Sequence, residues 1–338
     1  MTAIPKPAAA AIPKPAVAAI PKPAAAAIPK PAAGFVGCDV GKTCVVVFDS
    51  RTLRSQTLPN APSALAAFAR DLAPDCLVVC EATGGYEAGL LAALTFAGIA
   101  AHRADARKVK AFIRSFGIMG KTDAIDAKAL ALYGQERCGR LARWQPADAC
   151  REQLQALVLA RRDMVAARLA CSNRLQAPGA GHVQAFLRPQ LDVLTTQIEA
   201  IERQVEAVIA GHAALRQAAA TLRGVAGIGA TTAAALLALM PELGRLDRRQ
   251  AASLAGLAPH PRQSGMSEGY RSVKGGRPEV KRALFMAAMS AARYNKTLKT
   301  FYEKLIAKGK KKLVALTAVM RKLIVICNAR VRDAHAGI

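Results

Sequence analysis

Two aspartates in the middle of the chain are spaced so that they could share a metal ion. Asp123 and Asp126 stand three residues apart behind Thr122, in an Ala- and Leu-rich segment with high helix propensity. On a helix both carboxylates leave from the same face, where two like charges repel each other unless a cation lies between them. The simpler interpretation is that both acids only complement the helix dipole in the first turn.

Two further acids stand where strands are predicted. Residues 35–49 read as a β-hairpin that turns at Gly41-Lys42, and Asp39 lies within its apolar first strand, where a charge is costly unless something binds it. Glu81 ends the buried strand 76–80, just before the Gly-rich turn 82–86. A carboxylate at such a strand end is a common metal ligand in α/β folds, although it can also be a solvated strand end.

The elements that must position these acids alternate along the chain. After two or three antiparallel strands, the pattern predicts helix, strand, helix, strand and helix before the helix that carries Asp123. The predicted helices are 63–72, 87–97 and 106–115, and the strand between the last two is 99–103. This order resembles the ribonuclease H-like fold, specifically the RuvC-like arrangement of Asp39, Glu81, Asp123 and Asp126. Four converging carboxylates suit a pair of Mg²⁺ ions, or Mn²⁺, in phosphoryl transfer.

The charge balance points to a nucleic-acid partner. The 338 residues contain 48 Lys and Arg against 23 Asp and Glu, a net charge of +25. No apolar run reaches membrane-spanning length, and no signal peptide is recognised. Eight cysteines lack zinc-site spacing, so we expect a reduced cytoplasmic protein without zinc, associated with the nucleoid of a bacterium.

The remaining segments differ in character. Residues 1–34 repeat Ala-Ile-Pro-Lys-Pro with a period of eight, which predicts an extended or disordered tail. The RuvC-like domain is placed at 35–147 and a coiled-coil helical hairpin at 148–216, because apolar residues recur there at heptad spacing. That hairpin could pack on itself or on a second subunit. The seven seam positions are Leu187, Leu191, Leu194, Ile198, Ile201, Val205 and Val208.

A mainly α-helical domain is predicted at 217–338. The turn 224–229 is typical of a helix-hairpin-helix, whose backbone N–H groups suit phosphate oxygens. Between 261 and 312 the chain has fourteen Lys or Arg against three Glu, partly in a loop at 269–277. Such a run usually forms a solvated face, but its Gly- and Ser-rich setting favours backbone binding. The predicted nucleic-acid contacts are Arg262, Arg271, Lys274, Arg277, Lys281, Arg282, Gly227 and Gly229.

Taken together, these motifs resemble a DEDD-type transposase of the IS-one-ten insertion-sequence family. The resemblance covers roughly 35–333 and is strongest at 121–127, 80–86 and 255–265; the repeat tail is foreign to it. It implies an oligomeric, site-specific DNA recombinase in which the four acids bind Mg²⁺ and a serine attacks the DNA phosphate. It further implies a structured RNA, encoded by the element, that bridges target and donor DNA. Ser264 falls on the family's serine, with Ser267 as the alternative.

Three other functions stay open. A RuvC-like Holliday-junction resolvase or nuclease would use water and need no serine. An actin- or hexokinase-like ATP-binding protein would explain Asp39-Val40-Gly41, but a second phosphate loop and an adenosine motif are missing. A nucleic-acid-binding module with a degenerate site would have to retain four clustered acids by accident. A P-loop is rejected, because the spacing before Gly41-Lys42-Thr43 is one residue short.

Overall fold

The computed structural model describes residues 34–117, 122–146, 148–264 and 267–337, with the backbone alone at 262–264 and 267–270. The repeat tail of residues 1–33 and Lys121 lie outside the described residues. The chain divides after Pro146 into two compact units, close to the domain boundary predicted at 147.

The first unit is built on a five-stranded mixed sheet. Its strands are β1 (Phe35–Val40), β2 (Cys44–Asp49), β3 (Arg54–Pro59), β4 (Leu77–Glu81) and β5 (Ala100–Ala104), in the spatial order β3-β2-β1-β4-β5. The first three strands pair antiparallel, whereas β1 pairs parallel with β4 and β4 with β5. The hairpin predicted to turn at Gly41-Lys42 is present, closed by the Gly41 amide donating to the Cys44 carbonyl at 2.8 Å.

Helices cover both faces of this sheet. They are α1 (Pro62–Asp71), α2 (Ala88–Phe96), α3 (Ala106–Ser115) and α4 (Asp123–Arg137). Because side chains alternate along a strand, Val36, Cys38 and Val40 of β1 pack with α1 and α2, whereas Phe35 packs with α3 and α4. Buried strands with covered faces explain the near-continuous apolar runs of β1 and β4.

The second unit contains a long helical hairpin and a compact helical body. The hairpin consists of α5 (Ala149–Leu175) and α6 (Gln184–Gly211), joined through a short 3₁₀ turn at Ala180–His182. The body contains α7 (Ala213–Arg223), α8 (Ala230–Leu239), α9 (Arg248–Leu254), α10 (Pro278–Tyr294), α11 (Lys296–Ala307) and α12 (Lys312–His335). One apolar core joins the base of the hairpin, at Leu154, Val205 and Ile209, to these helices.

Two strands interrupt the helical body where a loop was predicted. β6 (Pro259–Ser264) and β7 (Ser267–Val273) form an antiparallel hairpin, so residues 269–273 lie in a strand rather than in a loop. The Gly and Ser residues of this segment predict an irregular loop. The segment is nevertheless a strand, because its backbone hydrogen-bonds to β6, a pairing that local composition does not indicate.

None of the described helices has the length and apolar character needed to cross a membrane. The eight cysteines are free thiols.

Candidate active site

Asp39 and Glu81 lie side by side on one face of the central sheet. The parallel register pairs Cys38 of β1 with Cys80 of β4, and Asp39 and Glu81 are the residues that follow this last pair in each strand. Leu77 and Val79 of β4 pack on the α4 side, while Val78 and Cys80 pack on the other side. Alternation therefore assigns Glu81 to the α4 face, and the position of Phe35 assigns Asp39 to the same face. Both residues are partly buried.

Helix α4 runs antiparallel to β1 and starts at this end of the sheet. A Cβ atom on Gly37 would meet the carbonyl oxygen of Ala127 and lie 2.5 Å from the nitrogen of Ala131. One turn later in the helix, a Cβ on Gly134 would lie 3.2 Å from the ring of Phe35. Later residues of α4 therefore lie against earlier residues of β1. The first turn of the helix consequently lies towards the end of β1 that carries Asp39.

The first turn of α4 carries the other two acids. Thr122 is the N-cap, as predicted, and its hydroxyl oxygen accepts a hydrogen bond from the amide of Ile125 at 3.3 Å. Asp126 is partly buried and Asp123 is exposed. Within the part of the chain that the structure describes, no three His, Cys, Asp or Glu side chains are close enough together to form a metal site. Convergence of all four acids on a metal stays a prediction.

The turn after Glu81 is held by an acid that the sequence analysis did not single out. Glu87 is 2 % exposed, and its carboxylate accepts hydrogen bonds from the amides of Thr83 and Gly85 at 3.2 and 2.9 Å. Arg103 of β5 donates to the same carboxylate at 2.7 Å. Burial raises the pKa of Glu87, but the backbone hydrogen bonds and the charge of Arg103 outweigh it, and the net pKa is lowered. The signal in the sequence was an acid two residues after Gly84-Gly85, within reach of the amides of that turn.

In the second unit, Ser264 ends strand β6 and pairs in register with Ser267 at the start of β7. Arg262 lies on the same strand, opposite Gly269. The two candidate serines therefore sit at the same end of one short hairpin, and their side chains are outside the described ones.

Several of the predicted nucleic-acid contacts have structural partners. Arg277 forms a bidentate pair with Glu242 at 2.7 and 2.8 Å and also donates to the Leu239 carbonyl at 2.6 Å. Arg282 pairs with Glu279 at 2.7 Å. Arg271 and Lys274 are exposed, and Lys281 is half-buried.

The glycine turn at 224–229 does link two helices, α7 and α8. Gly227 has a φ of 105°, and a Cβ there would lie 2.6 Å from Ala291 of α10. Gly227 is thus required by packing, whereas Gly229, the N-cap of α8, meets no atom within 4 Å of an added Cβ.

Comparison with known proteins adds two family matches. A DEDD-type model described as a transposase, of the IS110 kind, matches residues 36–178. A second, described as transposase of the IS116/IS110/IS902 family, matches residues 219–303. The first match spans all four acids, and the second spans Ser264.

Curated relatives agree with these matches. The pilin gene-inverting proteins of Moraxella lacunata and Moraxella bovis are each 32 % identical over 230 residues, which cover 67 % of this chain and 70 % of theirs. A 43.6 kDa protein of insertion element IS110 from Streptomyces coelicolor is 30 % identical over 161 residues, covering 46 % of this chain and 39 % of its own. The predicted family is confirmed: the chain belongs to the IS110 family of DNA transposases and recombinases.

Proposed function

We propose that this chain cuts and rejoins DNA at specific sites, using divalent cations held by Asp39, Glu81, Asp123 and Asp126. The observation that supports the proposal is the register of β1 and β4, in which Asp39 and Glu81 follow the last paired residues and belong to the face covered by α4. Two adjacent carboxylates repel each other, and a cation between them relieves that repulsion.

The donor set fits Mg²⁺ or Mn²⁺. All four groups are carboxylates, the oxygen ligands that these hard cations prefer. Asp39, Glu81 and Asp126 are partly buried, which keeps them ordered while leaving access to substrate. The cation would supply charge screening and polarisation at the scissile phosphate. Glu87 and Arg103 would hold the turn behind Glu81, and so its direction, as outer partners of the site.

Ser264 is the proposed nucleophile. Its hydroxyl oxygen would attack phosphorus, forming a phosphoserine ester and releasing a sugar oxygen of the broken strand. Attack on that ester by another sugar hydroxyl would rejoin the strand and return the serine. The resemblance to the family and the position of Ser264 within the matched region support this assignment.

The proposed partners are DNA, a structured guide RNA encoded by the element, and further copies of this chain, in the cytoplasm near the nucleoid. The start of α8 has no side-chain cap and begins at the exposed Gly229 and Ala230, so its first amides are suited to phosphates, as in a helix-hairpin-helix. The half-buried heptad positions Leu187, Leu191 and Leu194 support coiled-coil packing of α6.

The test is cleavage of labelled DNA carrying the ends of the element, in Mg²⁺ and with the element's RNA. We expect Glu81→Gln and Asp126→Asn each to reduce cleavage by about a hundred-fold or more, since even outer-shell changes at metal sites cost 10- to 100-fold. Asp71→Asn, which removes an exposed acid at the end of α1, is the control and should cleave normally. Full activity in Glu81→Gln would refute the proposed site.

A further inference from the structure

A cleft in the second unit is lined by cations and has an apolar floor. It has a volume of about 460 Å³, within the usual range of ligand sites, and lies between α9, α11 and α12. Its lining residues are Arg248, Arg249, Phe301, Ala318, Arg321, Lys322 and Val325.

No carboxylate lines this cleft among the described residues. None of its four cations takes part in an ion pair with any other residue of the described ranges. All four are exposed. The neighbouring acid, Asp247, is engaged as the N-cap of α9, where its carboxylate accepts from the amides of Arg249 and Gln250 at 2.6 and 2.8 Å. Four cations without a counter-charge favour an anionic ligand.

A second cavity in the same unit shows the contrast. It measures about 540 Å³, between α5, α6, α8 and α10, and its cations face acids. Arg161 pairs with Glu202 at 2.6 Å, and Arg162 and Arg282 both pair with Glu279 at 3.2 and 2.7 Å. The cations of that cavity are therefore paired with acids of its own lining, whereas those of the cleft at α9, α11 and α12 are not, in the described portions of the chain.

The two sides of the cationic cleft are tied together by a buried asparagine. Asn328 of α12 is 3 % exposed; its Oδ1 accepts from the amide of Gly244 at 2.8 Å and its Nδ2 donates to the carbonyl of Leu246 at 2.7 Å. Gly244 has a φ of 91° and approaches Val331 of α12 closely enough that an added Cβ would lie 2.9 Å away. These contacts fix the start of α9, and with it Arg248 and Arg249, against α12, which carries Arg321 and Lys322.

The floor is suited to a flat apolar group. Phe301, Ala318 and Val325 supply it, and the ammonium of Lys322 lies over the Phe301 ring, 4.1 Å from its centre. A base would contact this face of the ring once the flexible Lys322 side chain turns to a phosphate. Cations beside an aromatic ring are the combination by which proteins bind unpaired nucleotides, with phosphates at the cations and a base against the ring.

We propose that this cleft binds an unpaired stretch of nucleic acid, with backbone phosphates at Arg248, Arg249, Arg321 and Lys322 and a base against Phe301. The inference rests on the proposed function in one respect, because it says where a strand-exchanging enzyme holds a single strand. It concerns binding alone, so it can fail while cleavage at the acids succeeds.

Fluorescence anisotropy with labelled oligothymidylate, oligouridylate and a DNA hairpin duplex tests it, using the full chain without Mg²⁺ at 0.15 M salt. Arg321→Gln with Lys322→Gln should weaken single-strand binding about ten-fold and flatten its salt slope by about 1.4 units. The control, Lys308→Gln with Lys310→Gln, removes two exposed cations outside the cleft and should change affinity far less. Tighter binding of oligouridylate would identify RNA as the source of the strand, and of oligothymidylate DNA; either agrees with the proposal.

Phe301→Leu keeps an apolar floor but removes the ring, and should weaken single-strand binding about five-fold or more while leaving duplex binding unchanged. Thermal melting checks that each variant is folded. Equal losses in the cleft pair and the control pair would overturn the site. Unchanged binding in Phe301→Leu would overturn the assignment of an unpaired base. Because Ser264→Ala leaves all four cations in place, failure of the proposed catalysis would leave this binding intact.

Discussion

At the scale of single residues, the position of helix α4, which carries Asp123 and Asp126, depends on a glycine that has no catalytic role. Gly37 lets the backbone of α4 rest on β1, and any side chain there would collide with the backbone of Ala127 and Ala131. Backbone atoms in a packed helix cannot swing away as the end of a flexible side chain can. Helix α4, with Asp123 and Asp126, can therefore pack on β1 only because Gly37, two residues before Asp39, has no side chain.

Gly37→Ala should lower the free energy of unfolding of the first unit by about 3 kcal/mol, as expected for overpacking. DNA cleavage should fall with it, because α4 must shift. The measurement is urea unfolding followed by circular dichroism. Gly139→Ala is the matched control, since an added Cβ there meets no atom within 4 Å. Equal stability of the two variants would show that α4 does not rest on β1 as described.

Glu87 makes a second residue-scale prediction, on pH. Its folded-state pKa is lowered, so its contribution to stability is complete above the unfolded pKa and is lost as the pH falls through the folded value. Glu87→Gln should therefore cost about 2 kcal/mol at pH 7, and the difference from wild type should shrink in acid, below about pH 4. Thermal melts between pH 3 and pH 7 measure this; a difference that does not change with pH would contradict it.

At the scale of elements, the sequence predicted helices and buried strands well and the β6–β7 hairpin poorly. The helix at 106–115 has the predicted bounds, and α4 begins behind Thr122, because apolar period and capping chemistry are local signals. The strand β7 contains Gly269 and Ser272, which weaken any strand pattern, and its partner β6 contains two prolines. Pairing with a partner strand is not encoded locally.

Among the basic residues, Arg277 is expected to stabilise the fold, because its guanidinium is bound to Glu242 and the Leu239 carbonyl. Burial raises the pKa of Glu242, but the hydrogen bonds and the charge of Arg277 have the larger effect, and the net pKa is lowered. The pair connects the segment after α8 with the start of α10. Arg277→Ala should lower the melting temperature by about 3 °C, because a half-exposed pair contributes about 1 kcal/mol.

Lys274→Ala is its counterpart, since Lys274 is exposed. It should leave the melting temperature unchanged and flatten the salt dependence of DNA binding by about one unit. A lower melting temperature in Lys274→Ala, or an unchanged one in Arg277→Ala, would reverse these assignments.

At the scale of the whole molecule, each unit has its own apolar core. The first family match covers most of the first unit and continues into α5 of the second, whereas the second match lies wholly in the second unit. The sequence predicted the family correctly, because its motifs follow from residue types and spacing, and the net charge of +25 agrees with a DNA partner. The role of the four acids stays a prediction. The sequence did not predict the Glu87–Arg103 contact or the cationic cleft. Each of these joins residues that are far apart in the chain, and their proximity exists only after folding.

The most direct test of the account is the search for a covalent protein–DNA intermediate. Wild-type protein, stalled on nicked DNA bearing the element's ends with the element's RNA and Mg²⁺, should give a labelled adduct that survives denaturing electrophoresis. Ser264→Ala should abolish the adduct while retaining DNA binding, and Ser267→Ala, the neighbouring serine of the same hairpin, should keep it. Asp126→Asn should also abolish it. Cleavage that persists in Ser264→Ala without any adduct would contradict the serine mechanism and indicate a nuclease that uses water.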